Sequence, residues 1–189
     1  MRSSPLTAAL VVLAASIAAA PGSTAAAQAT ALDDATIVAI FDAANTPDIE
    51  TGALAEKRGS TREVRDFGAM LARDHEMVRQ QGRDLAAKLG VTPTPPKDDR
   101  GAKDHAAAMV RLRSLKGAEF DRVFLRHEVE FHQAVIDAIN GTLLPAIQNE
   151  EVKALVEKVA PAFQAHMAMA QQMEKKLVGG TAGDQTPSR

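Results

Sequence analysis

The sequence predicts an all-α protein built as an up-and-down four-helix bundle with one additional short helix. Three observations carry this. The first is a pair of long apolar stripes. Asn149–Leu177 places Val152, Leu155, Val159, Phe163, His166, Ala170, Met173 and Leu177 on one face. Ser60–Leu89 does the same with Val64, Phe67, Leu71, His75, Val78, Gly82, Leu85 and Leu89, again with spacings alternating between three and four. Such stripes belong to long helices packed in a bundle. The second is composition: hydrophobic residues make up 46% with Ala foremost, Trp and Tyr are absent, and Phe numbers six. Ala, Glu, Lys, Arg and Gln favour helix because they lose little freedom on entering one. The third is that no segment shows the two-residue alternation of a strand.

Asp33 or Asp34 opens the first helical segment as N-cap, with Ile37, Ile40, Phe41 and Ala44 on one face. Asn45-Thr46-Pro47 is expected to interrupt it. Thr46 then reads as a fresh cap, with Pro47 at the first helical position and Asp48 and Glu50 in the first turn, facing the positive end of the helix dipole. Gly59 closes this second segment. Ser60-Thr61-Arg62-Glu63 reads as a capping box, and the helix it starts runs ~43 Å to Gly90. Val91–Arg100, VTPTPPKDDR, is too rich in proline for helix and is expected to be a crossing loop. Ala102–Leu115 is a shorter amphipathic helix, broken at Gly117. Ala118–Ile139 is the third long helix, ending at Asn140-Gly141. A connection containing Pro145 follows, and Asn149 caps the last helix. Pro161 is expected to kink that helix one turn before His166, and Gly179-Gly180 to stop it.

At 189 residues the chain has room for one domain that buries a proper core. A formal charge of −2 argues against nucleic acid or an anionic membrane surface as partner. The absence of Cys excludes disulfides, Cys-ligated zinc and thiol chemistry. The N-terminus has the pattern of a secretory signal peptide: Arg2, an apolar run from Leu6 to Ala20, then Ala25-Ala26-Ala27 and Ala27-Gln28-Ala29 as alternative cleavage motifs. Residues 1–29 are therefore expected to be removed, leaving a bundle domain at 30–178, a disordered polar tail at 179–189 and a periplasmic or secreted protein. The run of ~15 apolar residues falls short of the roughly 20 that span a bilayer. No later stretch approaches that length, so no membrane span is expected after cleavage.

Each helical unit offers a metal-competent side chain at or near its inner face: Glu50, His75, Glu128 with His132, and His166. Facing helices of a bundle bring such ligands together. His132 and His166 each stand 17 residues from Asn149 and so sit at one level on antiparallel helices. Glu50 and His75 are offset by ~9 Å along the axis, which makes the two C-terminal histidines the better pair. A dinuclear carboxylate centre needs Glu-x-x-His on two helices, but Ala72 precedes His75 by three and Phe163 precedes His166 by three. At most one ion is expected, a transition metal (Zn, Cu, Ni or Fe) held by three imidazoles and one or two carboxylates. The bland alternative is a set of ordinary hydrogen-bonded core histidines. Asp74 reads as a solvated charge or as a partner holding an imidazole, His105 and His127 read as surface residues, and Met167, Met169 and Met173 read as core filling before thioether ligands.

The stretches DIETGALAEKRGSTREVRDFGAMLARDHEMV, FDRVFLRHEVEFHQ and APAFQAHM resemble the secreted bacterial family known as domain of unknown function 4142, over about Asp34 to Leu177. The resemblance implies a ferritin-like four-helix fold and an outer-membrane or periplasmic location. By position it carries the family's glutamate onto Glu50, its Asp-His pair onto Asp74-His75, and its later histidines onto His132 and His166. The chain departs from the pattern with Phe124 where Tyr is usual and Phe131 where an acid often precedes the histidine, which weakens any redox role for a Tyr. The family's activity is not established, so the resemblance implies fold and compartment only. Two readings of function follow: an extracytoplasmic protein binding one transition metal through inward histidines, or a structural or stress-related envelope protein without a metal. An enzyme ranks third and would require a redox-active metal.

Overall fold

The computed structural model describes residues 32–95 and 100–182. The expected signal peptide and residues 183–189 of the tail lie outside them. Helix α1 spans Asp34–Arg58, α2 Arg62–Leu89, α3 Arg100–Ser114 and α4 Gly117–Ala138. A π-helical turn over Ile139–Leu143 leads through the three-residue α5, Leu144–Ala146, to α6, Glu150–Ala182. Helix α2 reverses α1, α3 returns along the outside so that α4 runs parallel to α2, and α6 reverses α4. At one end of the bundle Arg58 donates to the carbonyls of Arg113 (2.6 Å) and Leu115 (2.8 Å), and the Ser60 N–H donates to Asp121 Oδ1 at 2.9 Å. At the other end Asp34 Oδ1 accepts from the N–H groups of Gln148 (3.0 Å) and Asn149 (3.3 Å), while Lys88 pairs with Glu151. Helices α1, α2, α4 and α6 form the bundle, and α3 is the return leg laid across its outside, with Met109 and Leu112 buried.

Several boundaries differ from the sequence reading. The chain does not restart at Thr46: α1 is continuous, with Pro47 inside it. Pro47 forfeits one backbone hydrogen bond, but side chains fasten the turn, Asn45 Nδ2 donating to Phe41 O at 2.7 Å and Thr51 Oγ1 to Pro47 O at 2.9 Å. The N-cap of α2 is Thr61, whose Oγ1 accepts from Val64 N at 3.2 Å. Ser60 is instead spent on Asp121. Helix α4 does not end at Asn140-Gly141 but widens into the π turn. There the Leu144 N–H reaches Ile139 O, a geometry that accommodates Pro145 and keeps Ile139, Leu143 and Ile147 buried. Helix α6 runs on to Ala182, through Gly179 and Gly180. A helical glycine costs ~1 kcal/mol relative to Ala without ending the helix unless it takes a left-handed cap, as Gly90 does at φ 65° after α2. Asn149 caps α6 as expected, accepting from Glu151 N at 2.9 Å and Val152 N at 3.2 Å.

The core is in two parts. One apolar cluster gathers Ile37, Phe41, Val135, Ile139, Val156 and Phe163 toward one end, and another gathers Val64, Phe67, Leu71, Phe120, Phe124 and Ala170 toward the other. Between them every bundle helix turns polar residues inward: Asn45, Asp48 and Thr51 from α1, His75 from α2, Glu128 and His132 from α4, and His166 from α6, all buried. Beside this layer α1 and α2 touch backbone to backbone. A Cβ on Gly52 would lie 2.6 Å from Gly68 O, and one on Gly68 would lie 2.6 Å from Gly52 O. This contact sets the register that brings Asp48 to His75.

Gly52→Ala and Gly68→Ala should each destabilise the protein by about 1–3 kcal/mol, because backbone and not a flexible side chain must move. Gly141→Ala, with nothing within 4 Å of its added methyl, should be neutral or stabilising by up to ~1 kcal/mol. Urea unfolding midpoints decide this, and a Gly52→Ala protein as stable as wild type would contradict it.

Candidate metal centre

Three imidazoles meet in the polar layer. The ring centroids of His75 and His166 are 5.1 Å apart, those of His75 and His132 5.5 Å, and those of His132 and His166 5.6 Å. Phe163 closes the site with its ring edge-on to His75 at 5.0 Å. His75 therefore stands level with both C-terminal histidines, while Glu50, the residue the sequence set at a different level from His75, stays out of the trio. Of the five residues singled out in the sequence, His75, His132, His166 and Glu128 come together. Glu50 does not: it is exposed and its Oε2 lies 3.0 Å from His105 Nε2 on α3. Once α1 is continuous, its inner stripe runs Phe41, Asn45, Asp48, Thr51, Ala55, and Glu50 is two residues, ~200° of helix rotation, from Asp48. Asp48 takes the place expected of Glu50. His105 and His127 are also deeper than surface residues. His105 is held by Glu50, and His127 stacks on Phe131 with centroids 6.0 Å apart; burial, then His105 and Arg111, push its pKa down to about 4.

The outer nitrogen of each imidazole in the trio is committed to an acceptor. His132 Nδ1 donates to Glu128 O, one turn back on α4, at 2.9 Å. His75 Nδ1 donates to Asn45 Oδ1 at 3.0 Å, with Asp48 Oδ2 at 3.4 Å. The Asn45 amide cannot reverse, because its Nδ2 is engaged by Phe41 O. His166 Nε2 donates to Asp74 Oδ2 at 3.3 Å. These bonds fix the tautomers, since protonation of one ring nitrogen leaves the lone pair on the other. His75 Nε2, His132 Nε2 and His166 Nδ1 then all present lone pairs. His75 Nε2 and His166 Nδ1 face each other at 3.2 Å, and His132 Nε2 is buried with no hydrogen-bond partner. One ligand atom from each of the three histidines falls within 4.8 Å of the others. Such an arrangement suits a cation: neutral imidazoles aimed at a point, each backed by an acceptor on its far nitrogen.

Behind the trio lie two buried carboxyls. Asp48 Oδ1 is 3.7 Å from His132 Nδ1, as is Glu128 Oε2, and Thr51 Oγ1 donates to Glu128 Oε1 at 2.8 Å. Both Asp48 oxygens and Glu128 Oε2 lack a hydrogen-bond partner. Asp48, Glu128 and His132 form a second group whose ligand atoms lie within 4.8 Å of one another. Burial drives the titrations. It lowers His75 to about 2, with His132 and His166 adding to the effect, and His132 to about 3. It also lowers His166, against the pull of Asp74. Burial raises Glu128 to about 7, and burial with the Glu128 charge raises Asp48 well above the carboxylate range. At neutral pH the imidazoles are unprotonated and the carboxyl pair retains a proton.

A family model described as Domain of unknown function (DUF4142) matches residues 19–173. The chain belongs to this family. Two solved structures share the fold of this DUF4142 protein. A DUF305 fragment from Deinococcus radiodurans has a TM-score of 0.66 at 17% identity, covering 75% of this chain and 95% of that one. CopM in the Cu(II)-bound form has a TM-score of 0.60 at 16% identity, covering 76% and 98%. At such identities the likeness is one of fold. A search of curated proteins gives no match. Among the described residues no helix is long and apolar enough to cross a membrane.

The pKa shifts set a pH dependence for the metal-free protein. His75 and His132 stay neutral in the folded state down to about 3 while the unfolded chain protonates them below 6.5, so they withdraw stability as pH falls. Glu128, raised from 4.5 to about 7, acts oppositely between those values. Between pH 6.5 and 4.5 Glu128 offsets one of the two histidines, leaving a loss of about 1.4 kcal/mol per pH unit that the raised Asp48 opposes in turn. Below about 3.8, where both carboxyls are protonated in either state, the two histidines should cost about 2.7 kcal/mol per pH unit together, down to about 3. Urea unfolding in EDTA should show His75→Leu and His132→Leu each removing about half of that excess slope, and variants with the wild-type slope would contradict the assignment.

Proposed function

We propose that this DUF4142 protein binds a single transition-metal ion outside the cytoplasm, through His75 Nε2, His132 Nε2 and His166 Nδ1. The observation that carries the reading is the approach of two unprotonated imidazole nitrogens at 3.2 Å, with a third imidazole nitrogen buried and unpartnered beside them. Without a cation these lone pairs repel and one goes unsatisfied, a cost of roughly 1–3 kcal/mol. With a cation they become ligands. Asp74 behind one imidazole supplies negative charge, and the Asp48–Glu128 pair behind the other two holds a proton that it can release when a cation arrives, so that its charge offsets that of the ion.

The trio is favoured over the Asp48, Glu128 and His132 group because a metal there would need His132 Nδ1, which is engaged by Glu128 O. Imidazole donors suit copper, zinc, nickel and iron, and the stability order of divalent ions places copper highest. The Cu(II)-bound form of CopM, which shares the fold, points the same way. An extracytoplasmic location rests on Arg2, the apolar run that follows and the Ala-x-Ala motifs.

Untagged, EDTA-treated protein titrated with Cu(II) and Zn(II) by calorimetry should bind one equivalent. Saturation at a hundredfold excess over Kd should raise stability by about 2.7 kcal/mol. His75→Leu, His132→Leu and His166→Leu should each lose most of this gain, and Glu50→Gln should keep it. An ordinary imidazole would release metal below about pH 6, near its pKa of ~6.5; these depressed histidines should hold it at pH 5.5. Binding lost in Glu128→Gln but kept in His75→Leu would move the ion to the carboxylate group. If wild type and all three histidine variants respond alike to metal, the structural reading of the histidines stands.

A further inference from the structure

The three imidazoles are walled in on most sides. The seam between α1 and α2 is shut by the Gly52–Gly68 backbone contact, and α3 lies over the flank formed by α1 and α4, where His105 meets Glu50. The polar groups touching His75 and His132, namely Asn45, Asp48 and Glu128, are all buried, as is Phe163 against both rings, and the partly buried ring of Phe131 covers His132 from the outside. The exception is on the α2 side of α6. His166 is the most exposed of the trio, and its Nε2 contacts Asp74, whose side chain is 28% exposed. Among the described residues Asp74 is the one partly exposed group with a hydrogen-bonding or ion-pair contact to any of the three imidazoles. Its two oxygens face different ways. Oδ2 points inward to His166 at 3.3 Å, while Oδ1 is held from outside by Arg73, through Nε at 3.0 Å and a terminal nitrogen at 2.9 Å.

We propose that Asp74 is the transit ligand through which a divalent cation passes between solvent and the histidine trio, and that Arg73 is the latch closing that route. This rests on the metal-binding reading above. A carboxylate is the natural first ligand for a hydrated cation, since it offers charge and exchanges water quickly, and Asp74 already sits between solvent and His166. Arg73 occupies the oxygen an incoming ion would meet first. An exposed Arg–carboxylate pair is weak, worth less than about 1 kcal/mol, so an ion can displace it at little cost. Arg73 is itself 65% exposed and has room to swing away. The arrangement retards uptake and release together without changing the occupied site.

Stopped-flow uptake of Cu(II) supplied as its glycine complex, and release to EDTA, test this. Arg73→Gln and Arg73→Lys should both accelerate uptake and release by the same factor, about two- to fivefold as a pair of that strength allows, with Kd unchanged within about twofold. The Lys variant keeps the charge but loses the planar fork, so it separates a latch from simple repulsion. Repulsion alone would leave Lys like wild type and make Gln faster in uptake but slower in release. Asp74→Asn, which retains an oxygen for His166, should slow both rates at least about tenfold. Glu50→Gln, on the far flank, should change neither. Rates insensitive to positions 73 and 74 in a protein that binds one Cu(II) lost in His166→Leu overturn the route and leave the metal site standing. A wild type that binds no Cu(II) overturns both.

Discussion

The structure depends on one contact, His75 Nε2 against His166 Nδ1 at 3.2 Å in the middle of the bundle. Two nitrogens at that distance normally share a proton. Here each ring already carries its proton on the opposite side, pinned by Asn45 in one case and Asp74 in the other. His132 is turned into the same space by the carbonyl of Glu128. The three rings are thereby held in place, and burial keeps His75 and His132 neutral across the acidic range in which free imidazole would protonate. A bundle that needed only a filled core would place hydrocarbon at all three positions, because a desolvated polar group with an unmet lone pair costs free energy and adds no packing.

Keeping a polar layer in the middle of a small core requires stabilisation elsewhere, and the two apolar clusters supply it from either side. On one side the aromatic ring of Phe163 packs against His75 and His132, and on the other Phe67 and Phe124 pack on each other within the second cluster. The register of the layer is set by small residues. Gly52 and Gly68 let the α1 and α2 backbones touch one turn from Asp48, so the carboxylate behind His75 is placed by main chain rather than by a flexible side chain. Thr51 ties Glu128 to α1 in the same layer. The site is thus carried on four rigid helices, the condition under which ligand geometry is held most closely.

Much of this is legible in the sequence. The stripes of α2 and α6 each carry one histidine among hydrocarbons, and the pair Glu128 and His132 marks α4 at the spacing of one turn. What the sequence conceals lies on α1. Pro47 is a strong local signal for a helix start, and on that reading Asp48 becomes a first-turn carboxylate and Glu50 the inward one. Tertiary packing overrides the signal: α1 gains more from lying unbroken along α2 than it loses with one hydrogen bond. The continuous stripe Phe41, Asn45, Asp48, Thr51, Ala55 was available as a clue, but it is polar where a stripe is sought as apolar. The half-burial of His105 and His127 was hidden for a different reason, since it depends on where the crossover helix α3 comes to rest. Local periodicity does not encode that. The π turn at Ile139–Leu143 is likewise a compromise between Pro145 and the burial of Ile147, which only the packed structure reveals.

The central claim is that three neutral imidazoles hold their lone pairs toward one point. Long-range proton–nitrogen correlation spectra of the metal-free protein at pH 6.5 test it without recourse to any ligand. The expected result is His75 and His132 protonated only at Nδ1 and His166 protonated only at Nε2. A proton on His75 Nε2 or His166 Nδ1 would make their contact an ordinary hydrogen bond between core histidines, and that result, or a doubly protonated ring among the three, would contradict the claim.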